Sequence, residues 1–167
     1  MSKIGIFYGS SSGNTEDVAR KIAEKLGVGS ADVYNAGNAK ASDLTACDVL
    51  LLGSSTWGLG DLQDDWVDFV KTVASADLSG KRVALFGCGD SSSYPDTFCD
   101  AMGKIYRAIS GKATVIGFTG TDGYSFDASE AVENNRFVGL ALDEDNESHL
   151  TESRIEAWTA QLEKEMA

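Results

Sequence analysis

The sequence has few of the residues that mark secreted or metal-binding proteins. Its 167 residues include one proline, one histidine and three cysteines, and no two cysteines form a C-x-x-C pair. An odd number of cysteines without such a pair argues against a disulfide framework and against a zinc site. We therefore expect no bound metal, and we expect Cys47, Cys88 and Cys99 to be reduced and mostly buried. The single histidine, His149, lies far in sequence from the candidate loops described below and is interpreted as a surface residue.

Long apolar runs are also missing. No stretch of about 18 apolar residues occurs, and the N-terminus lacks an apolar segment followed by a small-residue cleavage site. These absences predict no membrane span and a cytoplasmic protein. The chain has neither a low-complexity linker nor an internal repeat. Because 167 residues, 43% of them apolar, suffice for one substantial core and are too few to suggest two, we expect a single domain over residues 1–167.

Positive charge is scarce. The chain has 14 Lys and Arg against 26 Asp and Glu, which gives a net charge of −12 and a pI near 4.4. No Lys or Arg occurs in residues 41–70 or 83–103. Such an acidic protein is repelled by nucleic acid and by anionic lipid, so its partners should present basic surfaces. An ordinary solvated acidic surface would explain the individual aspartates equally well.

Five apolar runs alternate with helical patterns along the chain. The runs are residues 3–8, 31–36, 48–53, 81–87 and 113–118, and we read them as buried strands. Helical apolar faces follow at Val18/Ile22/Leu26, Trp66/Phe69/Val73 and Ile155/Trp158/Leu162, with a further helix expected over residues 96–110. This alternation predicts an α/β fold, a doubly wound sandwich around a five-stranded parallel sheet. Residues 136–143 look like a continuation of strand structure after an insertion at 119–136.

The loop after the first strand, 9-GSSSGNT-15, resembles an anion-binding nest. Its glycines allow several backbone N–H groups to converge, and its hydroxyl and amide side chains add donors at the start of a helix. The spacing excludes a nucleoside-triphosphate loop, because Asn14 stands where lysine is required. It also lacks the G-x-G-x-x-G of a dinucleotide site. We interpret it as a site for one terminal monophosphate, although an ordinary strand-to-helix turn with capping hydroxyls remains open.

Two aromatic side chains follow neighbouring strands. Trp57 lies in 54-SSTWGLGDLQDDW-66 and Tyr94 in 87-GCGDSSSYPDTF-98. Because ligands of doubly wound sheets bind beyond the carboxyl ends of the strands, these aromatics could sandwich a flat ring system. The alternative is that each ring merely packs over the end of the sheet.

Over essentially its whole length the chain resembles a flavodoxin of the long-chain type. The resemblance rests on GSSSGNTE, STWGLGDLQDDW, GCGDSSSYPDTFCDA and NRFVGLALDEDNESHLTESRIEAW. It implies the strand order 2-1-3-4-5 with an insertion in the fifth strand, and FMN as the cofactor. The implied cofactor-binding residues are Ser10, Ser11, Ser12, Gly13, Asn14, Thr15, Ser55, Thr56, Trp57, Gly58, Leu59, Cys88, Gly89, Asp90 and Tyr94.

Within that resemblance, each group of residues has an expected role. Ser10 to Thr15 hold the FMN phosphate, and Trp57 and Tyr94 flank the isoalloxazine ring. The backbone around Gly58, Leu59, Cys88, Gly89 and Asp90 faces the polar edge of the ring. The peptide that joins residues 58 and 59 turns its carbonyl toward the ring when the flavin accepts one electron.

The expected function is low-potential one-electron transport between redox enzymes by a monomeric protein that is not itself an enzyme. Its partners would be a reductase as donor and an oxidoreductase or a nitrogenase-type acceptor, each with a basic docking surface. One alternative is an NAD(P)H-dependent FMN quinone reductase on a related fold. Hydride transfer needs face-on approach to the flavin, which aromatic rings on both faces would obstruct. A non-redox binding module would leave the aromatic pair and the phosphate loop without a common purpose.

Overall fold

Buried strands alternate with amphipathic helices and meet in a central parallel sheet. The structure is a computed structural model that describes residues 3–11 and 13–167. The strands are β1 (Ile4–Gly9), β2 (Val33–Asn35), β3 (Val49–Trp57), β4 (Asp61–Leu62), β5 (Arg82–Cys88), β6 (Thr114–Ile116), β7 (Thr119–Gly120), β8 (Val132–Glu133), β9 (Arg136–Phe137) and β10 (Leu140–Leu142). The helices are α1 (Asn14–Leu26), α2 (Ala41–Thr45), α3 (Asp64–Ser75), α4 (Asp100–Ile109) and α5 (Glu144–Met166), with a short 3₁₀ helix at Ser30–Asp32.

The sheet has the order β2-β1-β3-β5, and its last position is filled by two short strands. β6 pairs in parallel with the first half of β5, and β10 pairs in parallel with the second half. Residues 117–139 form the excursion between them and include a small antiparallel sheet of order β7-β9-β8. The predicted doubly wound fold, with the order 2-1-3-4-5 and an insertion in the fifth strand, is confirmed.

Both faces of the sheet are covered because side chains of a strand alternate between faces. Phe7, Leu50 and Leu52 point to the face that packs against α3 and α4. Ile6 and Leu51 point to the opposite face, which packs against α1 and α5. Each fully buried large apolar side chain contributes about 1.5–3 kcal/mol relative to exposure. The continuous apolar runs in the sequence therefore come from strands that are buried on both sides.

One predicted helix begins later than expected. The pattern predicted a helix over residues 96–110, whereas α4 begins at Asp100. Cys99 has a φ of 55°, a left-handed conformation that an α-helix cannot include. The N–H of Phe98 donates to Ala128 of the inserted segment, at 3.3 Å. Residues 96–99 are therefore held by the insertion instead of extending the helix.

Candidate functional site

The loops that follow β1, β3 and β5 meet at the carboxyl edge of the sheet. They enclose a cavity of about 300 Å³ together with the first residues of α5. The cavity is lined by Asn14, Ser55, Thr56, Trp57, Gly58, Cys88, Gly89, Asp90, Tyr94, Glu144 and Asp145. A cleft of this kind, at the strand ends of an open α/β sheet, is where ligands of this architecture bind.

The loop after β1 lies next to this cavity and leads into α1. Gly13 has a φ of 94°, and its N–H donates to the Ser10 hydroxyl at 3.0 Å. Ser11 accepts a hydrogen bond of 2.9 Å from the Gln63 side chain, which joins this loop to the segment that begins α3. Ser12 lies outside the described residues. The loop thus places hydroxyl groups and a left-handed glycine directly before the N-terminus of a 13-residue helix.

Thr15, in the first turn of α1, carries an unusual polar atom. The residue is fully buried, and its hydroxyl oxygen has no hydrogen-bond partner among residues 3–11 and 13–167. The Cys88 thiol lies near enough for the hydroxyl to lower the thiol's pKa, but sulfur is only a weak partner. A buried hydroxyl without a strong partner costs about 1–3 kcal/mol. At a helix N-terminus, such a donor is suited to an anionic ligand.

Two aromatic rings line the cavity. Trp57 is 45% exposed, and its indole N–H donates to the Ser55 hydroxyl at 2.7 Å, which fixes the ring's orientation. Tyr94 is 44% exposed and stands in a turn closed by its own N–H and the Asp90 carbonyl at 2.9 Å. Both rings are about half exposed and line the same cavity, so a flat aromatic ligand could stack on each of them.

The turn that follows Trp57 depends on two glycines. The Gly60 N–H donates to the Trp57 carbonyl at 3.1 Å, and Gly58 and Gly60 have φ values of 52° and 98°. Side chains with a Cβ rarely adopt such values. Leu59, between the glycines, is 84% exposed and does not line the cavity.

Acidic groups crowd the side of the cavity formed by the loop after β5 and the start of α5. The Asn146 side-chain amide donates to Asp90 and to Asp143, each at 2.9 Å. Although burial opposes ionisation of Asp90, donors from Ser93 and Asn146 outweigh it and hold its pKa below the ordinary value. Partial burial and the charges of Asp90 and Asp143 raise the pKa of Asp145. This wall of the cavity therefore combines negative charge with neutral donors.

The remaining described groups near the cavity offer neither a reactive thiolate nor a cluster of metal ligands. Burial raises the pKa of the Cys88 thiol to about 12, so the thiol stays protonated at neutral pH. In the described part of the chain, no three His, Cys, Asp or Glu side chains are grouped so as to hold a metal ion. None of the described helices has the length and apolar character needed to cross a lipid bilayer.

Comparisons with known proteins agree with this geometry. The family profile described as Flavodoxin matches residues 6–158. The chain is 46% identical to a flavodoxin of Klebsiella pneumoniae and to flavodoxin 1 of Escherichia coli strain K12. Both matches cover 99% of this chain and 96% of the relative. The chain belongs to the flavodoxin family. A crystal structure of the Fusobacterium nucleatum flavodoxin bound to flavin mononucleotide is similar at a TM-score of 0.90 and 32% identity, with 99% of both chains covered.

Membership of the flavodoxin family confirms the resemblance inferred from the sequence, including the long-chain type. The structure brings most of the predicted site residues to one cavity, from all three predicted loops. Ser10, Ser11, Gly13 and Thr15 lie in the adjacent loop and first helical turn rather than in the cavity lining.

The sequence interpretation missed three residues of this flavodoxin-like site. Glu144 and Asp145 line the cavity because β10 pairs with β5 and delivers the start of α5 to the same edge. The rule that ligands bind at strand ends, applied to residues 136–143, would have indicated them. Gln63 is 2% exposed and connects two of the loops. No sequence signal distinguishes it from other polar residues.

Proposed function

We propose that the protein is a low-potential one-electron carrier that binds FMN noncovalently and shuttles electrons between redox enzymes. The observation that carries this proposal is the buried Thr15 hydroxyl at the N-terminus of α1, unpartnered among the described residues and beside a cavity lined by Trp57 and Tyr94. A ligand with one phosphate and one flat ring system fits both features. The bound FMN of the Fusobacterium nucleatum relative supports the same choice.

In this proposal, neutral donors hold the phosphate. The hydroxyls of Ser10, Ser11 and Thr15 and the N–H groups around Gly13 and Asn14 surround it, and Ser12, which lies outside the described residues, is included from the sequence pattern alone. The helix N-terminus adds about 0.3–2 kcal/mol, and each charge-assisted hydrogen bond about 1.5–3 kcal/mol. No lysine or arginine lies between Lys3 and Arg20, so donors and not charges provide the affinity.

The aromatic residues hold the ring system. Trp57 and Tyr94 stack on it, each contributing about 0.5–1.5 kcal/mol beyond burial, and they exclude water from its faces. The backbone around Gly58, Cys88, Gly89 and Asp90 faces the ring's polar edge, and Ser55 and Thr56 line the same cavity. Bound FMN supplies the one-electron redox chemistry. Because the faces are covered, electrons enter and leave through the exposed edge.

The negative charge around the cavity lowers the reduction potential of the bound flavin and selects partners with basic docking surfaces. Asp90, Glu144 and Asp145 lie at the cavity, and negative charge destabilises an added electron, which makes the carrier a stronger reductant. The same charge steers the protein toward basic docking surfaces of a reductase donor and an oxidoreductase or nitrogenase-type acceptor. We further propose a single-domain monomer with a cytoplasmic location, and the three free buried cysteines support the location.

The test is a visible absorption spectrum of the purified protein, followed by release and chromatographic identification of the flavin. We expect one FMN per chain, and tighter binding of FMN than of riboflavin. A protein that stays colourless and takes up no FMN contradicts the proposal. Steady oxidation of NAD(P)H by the protein and a quinone alone would instead identify a quinone reductase.

A further inference from the structure

The Gln63 side chain is buried between the loop after β1 and the N-terminus of α3. Gln63 is 2% exposed, and its amide oxygen accepts a hydrogen bond of 2.9 Å from the Asp65 backbone N–H. Its amide nitrogen donates to the Ser11 hydroxyl at 2.9 Å and to the Asp65 carboxylate at 3.1 Å. A Cβ built on Gly9 would lie 2.3 Å from the amide oxygen, so this side chain packs directly on the end of β1. Gln63 therefore supports the loop from behind.

The partners of the Gln63 amide determine which of its two ends faces Ser11. The Asp65 backbone N–H can only donate a hydrogen bond, and an ionised carboxylate can only accept one. The amide oxygen must therefore face the Asp65 N–H, and the amide nitrogen must face the Asp65 carboxylate. The nitrogen is also the end that reaches Ser11. The Ser11 oxygen is consequently the acceptor in this contact.

A hydroxyl that accepts a hydrogen bond keeps its own hydrogen for another partner, because it has one O–H donor and two lone pairs. Ser11 accepts from Gln63, and Ser10 accepts from the Gly13 N–H at 3.0 Å. Within residues 3–11 and 13–167, neither hydroxyl donates a hydrogen bond, and the Thr15 hydroxyl has no partner. Three O–H groups are thus available to a ligand group that only accepts, such as an ionised phosphate ester.

We propose that Gln63 is a positioning residue for the loop after β1, and that it holds the Ser11 hydroxyl in the orientation that donates to a phosphate. Gln63 acts through Ser11 and does not itself line the cavity. A carboxylate in place of the amide would reverse the contact, because Ser11 would then donate its hydrogen to residue 63 and turn a lone pair toward the phosphate. The phosphate half of this inference rests on the proposed function, whereas the contact between Gln63 and Ser11 does not.

Two substitutions of Gln63 test the orientation of the hydroxyl through the affinities for FMN and riboflavin. Gln63→Met removes the amide at similar side-chain length and leaves the Ser11 hydroxyl free to rotate. Gln63→Glu keeps an acceptor for the Asp65 N–H but offers Ser11 only an acceptor. The dissociation constant for FMN should rise from wild type to Gln63→Met to Gln63→Glu, and the last rise should be roughly 10- to 150-fold, as for the loss of one charge-assisted hydrogen bond. Riboflavin, which has no phosphate, should bind all three proteins equally well.

Gln161 provides a matched control, because its side-chain amide donates to the Phe118 carbonyl at 2.8 Å, in the segment that leads into the insertion. Gln161→Met should change neither affinity. The Ser11→Ala background then shows whether Gln63 acts through Ser11. Ser11→Ala should itself weaken FMN binding, and Gln63→Met should cause no further loss in that background. A loss from Gln63→Glu that persists undiminished there would come from charge repulsion and would overturn the proposed orientation.

The contact itself is tested without ligand, by a double-mutant cycle of Gln63→Met and Ser11→Ala on the free energy of unfolding. The two changes should be coupled, since each removes the same hydrogen bond. The inference is overturned if the two changes are additive in FMN affinity, or if Gln63→Met weakens riboflavin as strongly as FMN. A wild-type protein that takes up no FMN refutes the proposed function and the phosphate half of the inference, and the unfolding cycle still decides on the contact.

Discussion

Replacing Thr15 by valine should affect the ligand-free and the FMN-bound protein in opposite directions. Valine has nearly the shape of threonine, so the change removes the hydroxyl and leaves the packing in place. Without ligand, this hydroxyl is buried and has no partner among the described residues. Its removal should leave the free energy of unfolding unchanged or raise it by up to about 1–3 kcal/mol. With FMN bound, the same change removes a charge-assisted hydrogen bond to the phosphate.

The expected loss of FMN affinity follows from that bond. Because that hydrogen bond is worth about 1.5–3 kcal/mol, its loss should raise the dissociation constant for FMN roughly 10- to 150-fold. Riboflavin, which has no phosphate, should bind the variant and the wild type equally well. Thr15→Ser retains the hydroxyl and should retain FMN affinity. Urea unfolding of the ligand-free protein and fluorescence titration with each flavin measure these quantities.

Thr159 provides a matched control. It is also buried, at 3% exposure, but its hydroxyl donates to the Ile155 carbonyl at 3.0 Å. Thr159→Val should therefore leave FMN affinity unchanged. The reasoning fails if Thr15→Val destabilises the ligand-free protein, or if it weakens riboflavin and FMN to the same extent, because the phosphate then lies elsewhere.

Further predictions concern the turn, the surface charge and the thiols. Gly58 has a φ of 52°, a conformation that costs a residue with a Cβ about 1 kcal/mol. Gly58→Ala should therefore weaken FMN binding or shift the first one-electron potential by an equivalent amount. A redox titration with unchanged potential and affinity would contradict this. Neutralising the exposed Asp64 and Asp68 to Asn should flatten the salt dependence of electron transfer with a basic reductase, whereas Glu156→Gln with Glu163→Gln should not. All three cysteines are buried, so a thiol reagent should modify them only after unfolding.

The strands of the sheet were predictable from the sequence because burial imposes a local pattern, whereas their order followed from the family resemblance. A strand covered on both faces must be apolar throughout, and β1, β3 and β5 show this directly in the sequence. The start of α4 was not predictable, since residues 96–99 continue a helical pattern. Hydrogen bonds from Asp127 and Ala128 to the Pro95 carbonyl, at 2.8 and 3.0 Å, hold that segment outside the helix. The helical pattern of residues 96–99 thus competes with hydrogen bonds from an insertion about 30 residues away, and no local sequence pattern indicates those bonds.

The same distinction separates the site residues that were predicted from those that were missed. The loops after β1, β3 and β5 each contain recognisable glycines, hydroxyls and aromatics, so their residues could be named in advance. Asp145 reaches the cavity only because Leu142 pairs with Cys88, a contact across 54 positions of sequence. Asn146, which joins Asp90 to Asp143, is likewise defined by contacts between distant segments. Gln63 and Asn146, which act through such contacts, carry no signal in their immediate sequence, whereas Asp145 could have been indicated only by treating residues 136–143 as a strand of the sheet.

The absence of lysine from the loop after β1 has a physical consequence for an electron carrier. A cation about 4 Å from the phosphate would contribute about 4 kcal/mol at an effective dielectric constant of 20, more than a helix N-terminus provides. Its charge would also attract an added electron on the flavin and raise the potential. Hydrogen-bond dipoles act over shorter distances, so in the proposed site donors such as Thr15 hold the phosphate while Asp90 and Asp145 line the cavity assigned to the ring. In the proposed site, binding without a cation therefore reconciles affinity for an anionic cofactor with a low potential.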